Sequence, residues 1–336
     1  MSPDVTQAAS QAAGPLLEVR NLTKYFTLRG DLVSRIAGKT RTLKAVDDIS
    51  FAVASGETLG LVGESGCGKS TTGRLITRLI EPTSGEIRLN GEDLLGFNRR
   101  RMRSARKQVQ LVFQDPYSSL NPRKTVMQIL GRPLEIHVPD LTWRDRRERV
   151  MELLNLVGLG REHLDRYPHE FSGGQRQRLA IARALAVEPD LVIGDEPVSA
   201  LDVSVQAQIL NLFRELQERF NLTYLFIAHD LSVVRHISDR VAVMYVGKIV
   251  ETAPADALFD HPLHPYTQAL MAAVPEADPD KPAPRLTLRG EVATPIDPPA
   301  GCRLCKRCPI ATPNCDIDPP PLRELAPAHF VACHNV

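Results

Sequence analysis

Gly63, Glu64, Ser65, Gly66, Cys67, Gly68, Lys69 and Ser70 fill every fixed position of a G-x4-G-K-S phosphate-binding loop. Glycines at such a turn let successive backbone N–H groups face a polyphosphate, and the following helix N-terminus adds its positive end. Lys69 then reaches the β- and γ-phosphates, Ser70 holds Mg²⁺, and Thr71 completes the binding set. Hydrolysing ATP also needs a metal-holding carboxylate, a positioned water and charge stabilisation on the outgoing phosphoryl group. Asp195-Glu196 follows the apolar run Leu191 to Gly194, making Asp195 the candidate partner of Ser70 around Mg²⁺ and Glu196 the candidate base. Gln114, after Val112-Phe113, can coordinate Mg²⁺ or the attacking water. His229 ends another apolar run and can bond the γ-phosphate or hold Glu196 and the water in line. Lys69, Gln114, Glu196 and His229 form the candidate catalytic set.

A second phosphate reader is Ser172-Gly173-Gly174-Gln175, where a serine and two glycines precede a helix. It lacks the strand-loop-helix logic of the first loop, so a second subunit can present it to the first subunit's γ-phosphate. Standing alone, it would read as an ordinary N-terminal cap.

These residues need elements to position them. Thr58 to Val62 reads as a buried strand, and Lys69 to Ile80 as a helix with Leu75, Ile76, Leu79 and Ile80 at helical spacing. Leu16 to Arg20, Ala45 to Val53 and Glu86 to Asn90 read as strands of a small antiparallel sheet, with Asn90-Gly91 a hairpin turn. Gln108 to Phe113, Leu191 to Gly194 and Leu222 to Ala228 supply further apolar strands. Val241 to Tyr245 and Lys248 to Glu251 form a hairpin about Val246-Gly247. Tyr117 to Arg176 is mainly helical: Thr142 with Asp145 predicts a capping box before Val150, Leu153, Leu154 and Val157. Gln175 to Ala186 forms the next helix. Alternating strands and helices indicate a largely parallel sheet, whose strand carboxyl ends converge where α/β proteins bind ligands.

With 336 residues, the chain can hold one large α/β domain and an appendage. A net charge of +1 gives no global field for nucleic acid, and no direct nucleic-acid binding is expected. No apolar run is long enough to span a membrane, and the N-terminus lacks the pattern of a signal peptide. The reading divides the chain into a flexible leader (1–15), a main domain (16–275) with a helical subdomain at about 115–176, a connector (276–287) and a cysteine-rich module (288–336).

Several longer stretches carry a family resemblance: GESGCGKST at 63–71, QDPYSSLNPR at 114–123, FSGGQRQR at 171–178, GDEPVSALD at 194–202 and IAHDL at 227–231. With HPLHPYTQAL at 261–270 and the terminal cysteines, the chain resembles ATP-binding subunits of ABC importers for oligopeptides and dipeptides. QDPYSSLNP resembles the second of two paired ATPases. The resemblance implies an α/β fold: a P-loop NTPase core with a mainly parallel sheet, an antiparallel β subdomain, a helical subdomain and a small cysteine-rich C-terminal module. It implies a head-to-tail heterodimer with a homologous ATPase subunit, in which Ser172, Gly173, Gly174 and Gln175 face the partner's ATP and Asp202 communicates across the interface. Phe26 would stack on adenine, with Tyr25 the alternative. Two membrane permease subunits would dock near Gln114 to Leu130, at the cytoplasmic face of the membrane, and an extracytoplasmic binding protein would select cargo. Nickel, glutathione or oligosaccharide import remains an alternative cargo, and a soluble ABC ATPase remodelling nucleic acid or ribosomes an alternative class.

Five of the six cysteines crowd the last 35 residues. In a reducing compartment that clustering favours metal over disulfides. Cys302, Cys308, Cys315 and Cys333 match the family tail pattern, for which the resemblance implies a [4Fe–4S] cluster; four thiolates can equally hold structural Zn²⁺. Cys305 departs from that pattern and is an alternative ligand.

Overall fold

A computed structural model describes residues 14–28, 41–273, 288–290 and 293–336. Most of the expected leader, the whole connector and the polar loop before Arg41 lie outside the described residues. Along the chain run β1 (Leu17–Leu28), β2 (Arg41–Val53), β3 (Thr58–Val62), β4 (Ser84–Leu89), β5 (Glu92–Asp93) and β6 (Val109–Val112). They are followed by β7 (Leu191–Asp195), β8 (Thr223–Ala228), β9 (Arg240–Tyr245), β10 (Lys248–Pro254), β11 (Arg323–Ala326) and β12 (His329–Val331). Among helices of seven residues or more, α1 (Lys69–Ile76), α2 (Arg99–Gln108), α3 (Val126–His137) and α4 (Trp143–Leu156) come first. Then follow α5 (Gly173–Leu185), α6 (Val203–Phe220), α7 (Leu231–Ile237) and α8 (Pro265–Ala272).

The main sheet has the order β11-β12-β10-β9-β3-β8-β7-β6. From β9 to β6 its neighbours are parallel, and β10, β12 and β11 extend it in antiparallel pairs. Both faces are buried, as a parallel sheet requires. In β8, Tyr224 and Phe226 face the core shared with the helices around α5, while Leu225 and Ile227 face the core shared with α1 and the antiparallel sheet. Gly73 lets α1 lie close: a Cβ there would meet Ile227 Cδ1 at 3.1 Å and Ile193 Cγ2 at 3.2 Å. The second sheet is antiparallel, in the order β2-β1-β4-β5, and Asn90 and Gly91 make its tight turn with φ of 51° and 79°.

The structure departs from the sequence reading in several elements. β1 runs on to Leu28 because β2 pairs along it, Phe26 lying opposite Leu43. α1 ends at Ile76, not Ile80: Arg78 turns left-handed at φ 47°, and Leu79 is exposed. Thr142 caps α4 through the Asp145 N–H, but Asp145 accepts from the Thr142 hydroxyl and not from the cap backbone. α2 had no counterpart in the sequence reading, since only Met102 and Ala105 of its ten residues are buried. The described part of 288–336 does not stand apart: Glu251 pairs with Val331 and Thr252 with Phe330, so the tail completes the main sheet.

Candidate active site

The parallel register gathers the chemistry. Val62 lies opposite Ala228, Asp195 opposite Ile227, and Val112 opposite Gly194. The residues just beyond these strand ends therefore share one sheet edge. After β3 the chain turns through Gly63, Gly66 and Gly68, with φ of 152°, 80° and 113°. A Cβ at Gly63 would lie 2.1 Å from the Met244 carbonyl oxygen, and one at Gly68 2.2 Å from that of Ala45, so neither position takes a side chain. Ser65 and Gly66 form the exposed tip, Cys67 is buried, and Thr71 is half-buried in the first turn of α1. Burial pushes the Cys67 thiol up, and nearby Lys69 opposes that. The buried Lys69 ammonium donates to the Gly63 and Glu64 carbonyls at 2.6 and 3.0 Å.

Ser70 Oγ donates to Asp195 Oδ1 at 2.6 Å. Burial pushes the Asp195 carboxyl up, with the Ser70 hydroxyl acting the other way. The next residue, Glu196, adopts φ 49°, while its N–H donates to the Ile227 carbonyl at 2.9 Å. That kink turns its carboxylate toward two donors. Gln114 Nε2 lies 2.9 Å and His229 Nδ1 3.0 Å from the same oxygen, Glu196 Oε2. Ser199 joins the cluster through Gln114 Nε2 at 3.4 Å, and its hydroxyl donates to the Glu196 carbonyl at 3.1 Å. Gln114, Asp195, Glu196, His229 and Ser70 are thus brought to one edge.

The other candidates stand elsewhere. Ser172 Oγ accepts from Gln175 N at 3.3 Å and Gln175 Oε1 from Ser172 N at 3.0 Å, a reciprocal capping box on α5. A Cβ on Gly174 would come within 2.5 Å of Val205 Cγ1, so that glycine lets α5 approach α6; Gly173 packs more loosely beside Leu201. Asp202 is exposed at the start of α6 and makes no cap bond through its side chain. The Tyr25 hydroxyl donates to Asp47, which also receives Arg303; Phe26, partly buried, has the Lys24 ammonium 4.9 Å from its ring centre. Burial and then the Asp47 bond push Tyr25 up to about 12. Burial opposes ionisation of Asp47, but Tyr25 and Arg303 outweigh it and hold the carboxyl below its ordinary value.

Residues 46–199 match the ABC transporter family, and residues 250–315 match the family described as oligopeptide/dipeptide transporter, C-terminal region. The oligopeptide transport ATP-binding protein AppF of Bacillus subtilis (strain 168) is 55% identical over 322 residues, covering 95% of this chain and 97% of that one. The chain belongs to the ATP-binding subunits of oligopeptide/dipeptide ABC transporters. OppF of the same organism, also an oligopeptide transport ATP-binding protein, is 52% identical over 320 residues, covering 95% and 96% of the two chains. Among solved structures, the dimeric ATP-binding cassette MJ0796 in a post-hydrolysis state bound to ADP and Pi gives a TM-score of 0.63 at 27% identity. It spans 71% of this chain and 98% of its own. As an ABC ATPase, the chain couples ATP hydrolysis to transport. No helix among the described residues is long and apolar enough to cross a membrane.

In this ABC ATPase the terminal cysteines do not meet the metal expectation. Among the described residues no group of three or more His, Cys, Asp or Glu side chains is placed to hold a metal ion. The sulfurs have protein partners instead. Cys315 Sγ lies 3.5 Å from the Thr312 hydroxyl and 3.7 Å from the Asn335 amide, and Cys333 Sγ accepts from Asn335 N at 3.4 Å. Burial, and then the nearby Asp316 carboxylate, push the Cys305 thiol up to about 12. Burial, then the neighbouring thiols of Cys315, Cys308 and Cys333, push Cys302 up to about 11. Sequence reasoning also missed Ser199, Asp47, Arg303, Tyr266 and Arg307. Of these, Ser199 and Tyr266 stood in quoted motifs without being singled out, and the others carry no local signal.

Proposed function

We propose that this chain hydrolyses ATP to energise peptide import through a membrane ABC transporter. The observation that carries hydrolysis is the convergence of Gln114 and His229 on one oxygen of Glu196, beside the Ser70–Asp195 pair. That leaves Oε1 of Glu196 to take the proton of an attacking water. Lys69 exchanges two loop carbonyls for the β- and γ-phosphates. The Ser70 hydroxyl, the Asp195 carboxylate and the Gln114 amide oxygen would hold Mg²⁺, an all-oxygen donor set suited to a hard dication. When bound, Mg²⁺ neutralises charge developing on the phosphates. Phe26 stacks on adenine, since the Tyr25 hydroxyl is already committed to Asp47.

Ser172, Gly173, Gly174 and Gln175 face ATP held by a homologous ATPase in a head-to-tail heterodimer, and Asp202 relays between the subunits. The chain acts as the second of the two ATPases. The start of α5 supports this reading, since Ser172 is exposed and Gly173, Gly174 and Gln175 are only half-buried at a helix N-terminus. Two permease subunits dock near Gln114 to Leu130, at the cytoplasmic face of the membrane, and an extracytoplasmic binding protein delivers peptide. A cleft of about 740 Å³ lined in part by Asn121, Lys124, Gln128 and Ile129 supports that docking. The C-terminal match carries the cargo class, above nickel, glutathione or oligosaccharide and above nucleic-acid remodelling. A [4Fe–4S] cluster or Zn²⁺ on the tail rests on the cysteine spacing and the family resemblance, and no step depends on it. Metal analysis of anaerobically purified protein with neither iron nor zinc removes it.

The test is Glu196→Gln in the reconstituted transporter with an inactivated partner ATPase. ATP binding persists while hydrolysis and uptake collapse; near-normal hydrolysis overturns the assignment.

A further inference from the structure

An acid inside a phosphate-binding loop is electrostatically misplaced, because its charge repels the polyphosphate. Glu64 is such an acid, and the chain answers it from far away in sequence. Its carboxylate receives the Arg307 guanidinium, with Nη1 3.2 Å from Oε2, and the Arg307 side chain is only 11% exposed. Its backbone N–H donates to the Tyr266 hydroxyl at 2.8 Å. The two holders touch each other's neighbours. Arg307 Nη1 also donates to the Tyr245 hydroxyl at 3.2 Å, and the Tyr245 and Tyr266 ring centres lie 4.5 Å apart. Glu64, Tyr266, Tyr245 and Arg307 therefore close a circuit around one loop residue.

Tyr266 is itself fixed. It is fully buried in the first turn of α8, where the His264 ring nitrogen Nδ1 accepts its N–H at 3.1 Å. The N–H groups of Leu263 and His264 donate to Glu251 at 2.8 and 3.1 Å, and His329 of β12 lies 2.7 Å from the same carboxylate. The His-Pro-Tyr stretch thus joins the tail strand to the phosphate loop.

We propose that Tyr266 and Arg307 are positioning residues for the phosphate loop, holding Glu64 by its N–H and its carboxylate and thereby setting the affinity for ATP. This rests on the reading of residues 63–70 as the ATP site. A loop rich in glycine loses much conformational freedom when it orders around a ligand. Fixing one of its non-glycine residues beforehand lowers that cost, which is preorganisation. Arg307 also cancels the one negative side chain of the loop. Neither residue touches Glu196, so the effect belongs to binding and not to the chemical step.

Equilibrium ATP and ADP binding to the full chain, with steady-state hydrolysis in the assembled transporter, tests this. Arg307→Met weakens binding of both nucleotides about tenfold and raises KM with kcat unchanged. Adding Glu64→Gln to Arg307→Met restores most of the affinity, because the uncompensated charge is gone. Arg307→Lys keeps most of it, and Tyr266→Phe loses about three- to tenfold. Thermal unfolding of the nucleotide-free proteins separates brace from scaffold. Wild-type affinity in both Arg307→Met and Tyr266→Phe overturns the proposal, as does a lowered unfolding midpoint with unchanged affinity. A double variant as weak as Arg307→Met overturns the charge argument. Should Arg307→Met not fold, wild-type affinity in Tyr266→Phe and Arg307→Lys overturns it equally. Wild-type protein that binds no ATP removes the reading of the loop, and this inference with it.

Discussion

Glu196 and Glu251 lie along the same sheet and are held in opposite ways. Glu251, in β10, is fully buried, and its two oxygens are occupied by His329 and the N–H groups of Leu263 and His264. Glu196, just past β7, keeps 12% of its side chain exposed and receives both Gln114 and His229 on a single oxygen. A saturated carboxylate can only hold structure together. One with a free oxygen at a ligand-binding edge can accept a proton. Donor geometry separates the two roles more sharply than burial does, for both acids are largely covered.

The largest effect tests the reactive side. Glu196→Gln lowers kcat by about 10²- to 10⁴-fold while leaving nucleotide binding and the unfolding midpoint unchanged, as hydrolysis assays and calorimetry can establish. Glu251→Ala should do the reverse. It strands an imidazole and two N–H groups, costing about 3–5 kcal/mol of stability in urea unfolding, with kcat per folded molecule preserved. A drop in kcat beyond the loss of folded protein would erase the contrast.

A milder effect comes from His264, beside Glu251. Burial holds its ring down to about 4, against 6.5 for an ordinary histidine. As pH falls below about 6.5 the unfolded chain takes up the proton first, so stability is full above that value and declines towards pH 4. The slope is at most about 1.4 kcal/mol per pH unit, and His264→Gln flattens it in urea midpoints measured between pH 7.5 and 5. The smallest effect separates the two adjacent aromatics. Tyr25→Phe costs about 1 kcal/mol of stability through its lost bond to Asp47 and leaves ATP affinity alone. Phe26→Ala weakens ATP binding in a nucleotide titration.

The sheet edge was legible because each of its residues follows a short apolar run, and parallel strands bring such ends together whatever lies between them. Gln114, Asp195, Glu196 and His229 could be named before any geometry was known. α2 was hidden by its own composition, RRRMRSARKQ, where two buried residues make too thin a stripe for periodicity. The hydroxyl partner of the Glu64 N–H and the guanidinium on its carboxylate were also invisible, since Tyr266 and Arg307 lie 202 and 243 positions away. Local pattern announces a strand end; it says nothing of which distant cation will fold back upon it. The metal expectation finds no support in the side-chain placement for a related reason. Cysteine spacing gives proximity along the chain, while the directions of the sulfurs depend on Thr312, Asp316 and Asn335.

The edge of β10 is covered by β12, from the far end of the chain. A chain made N-terminus first, at about 5–20 residues per second, completes its phosphate loop roughly 12–50 s before Arg307 emerges. β10 itself is made only late in that interval, and for about 4–15 s, until β12 follows it, one of its edges offers a row of unpaired N–H and C=O groups, the kind of surface that recruits other nascent strands. Arrival of the tail covers that edge and delivers Arg303 and Arg307 in the same event. A ribosome that stalls late in translation would therefore release a chain with the strand ends around Glu196 complete, yet sticky along one flank.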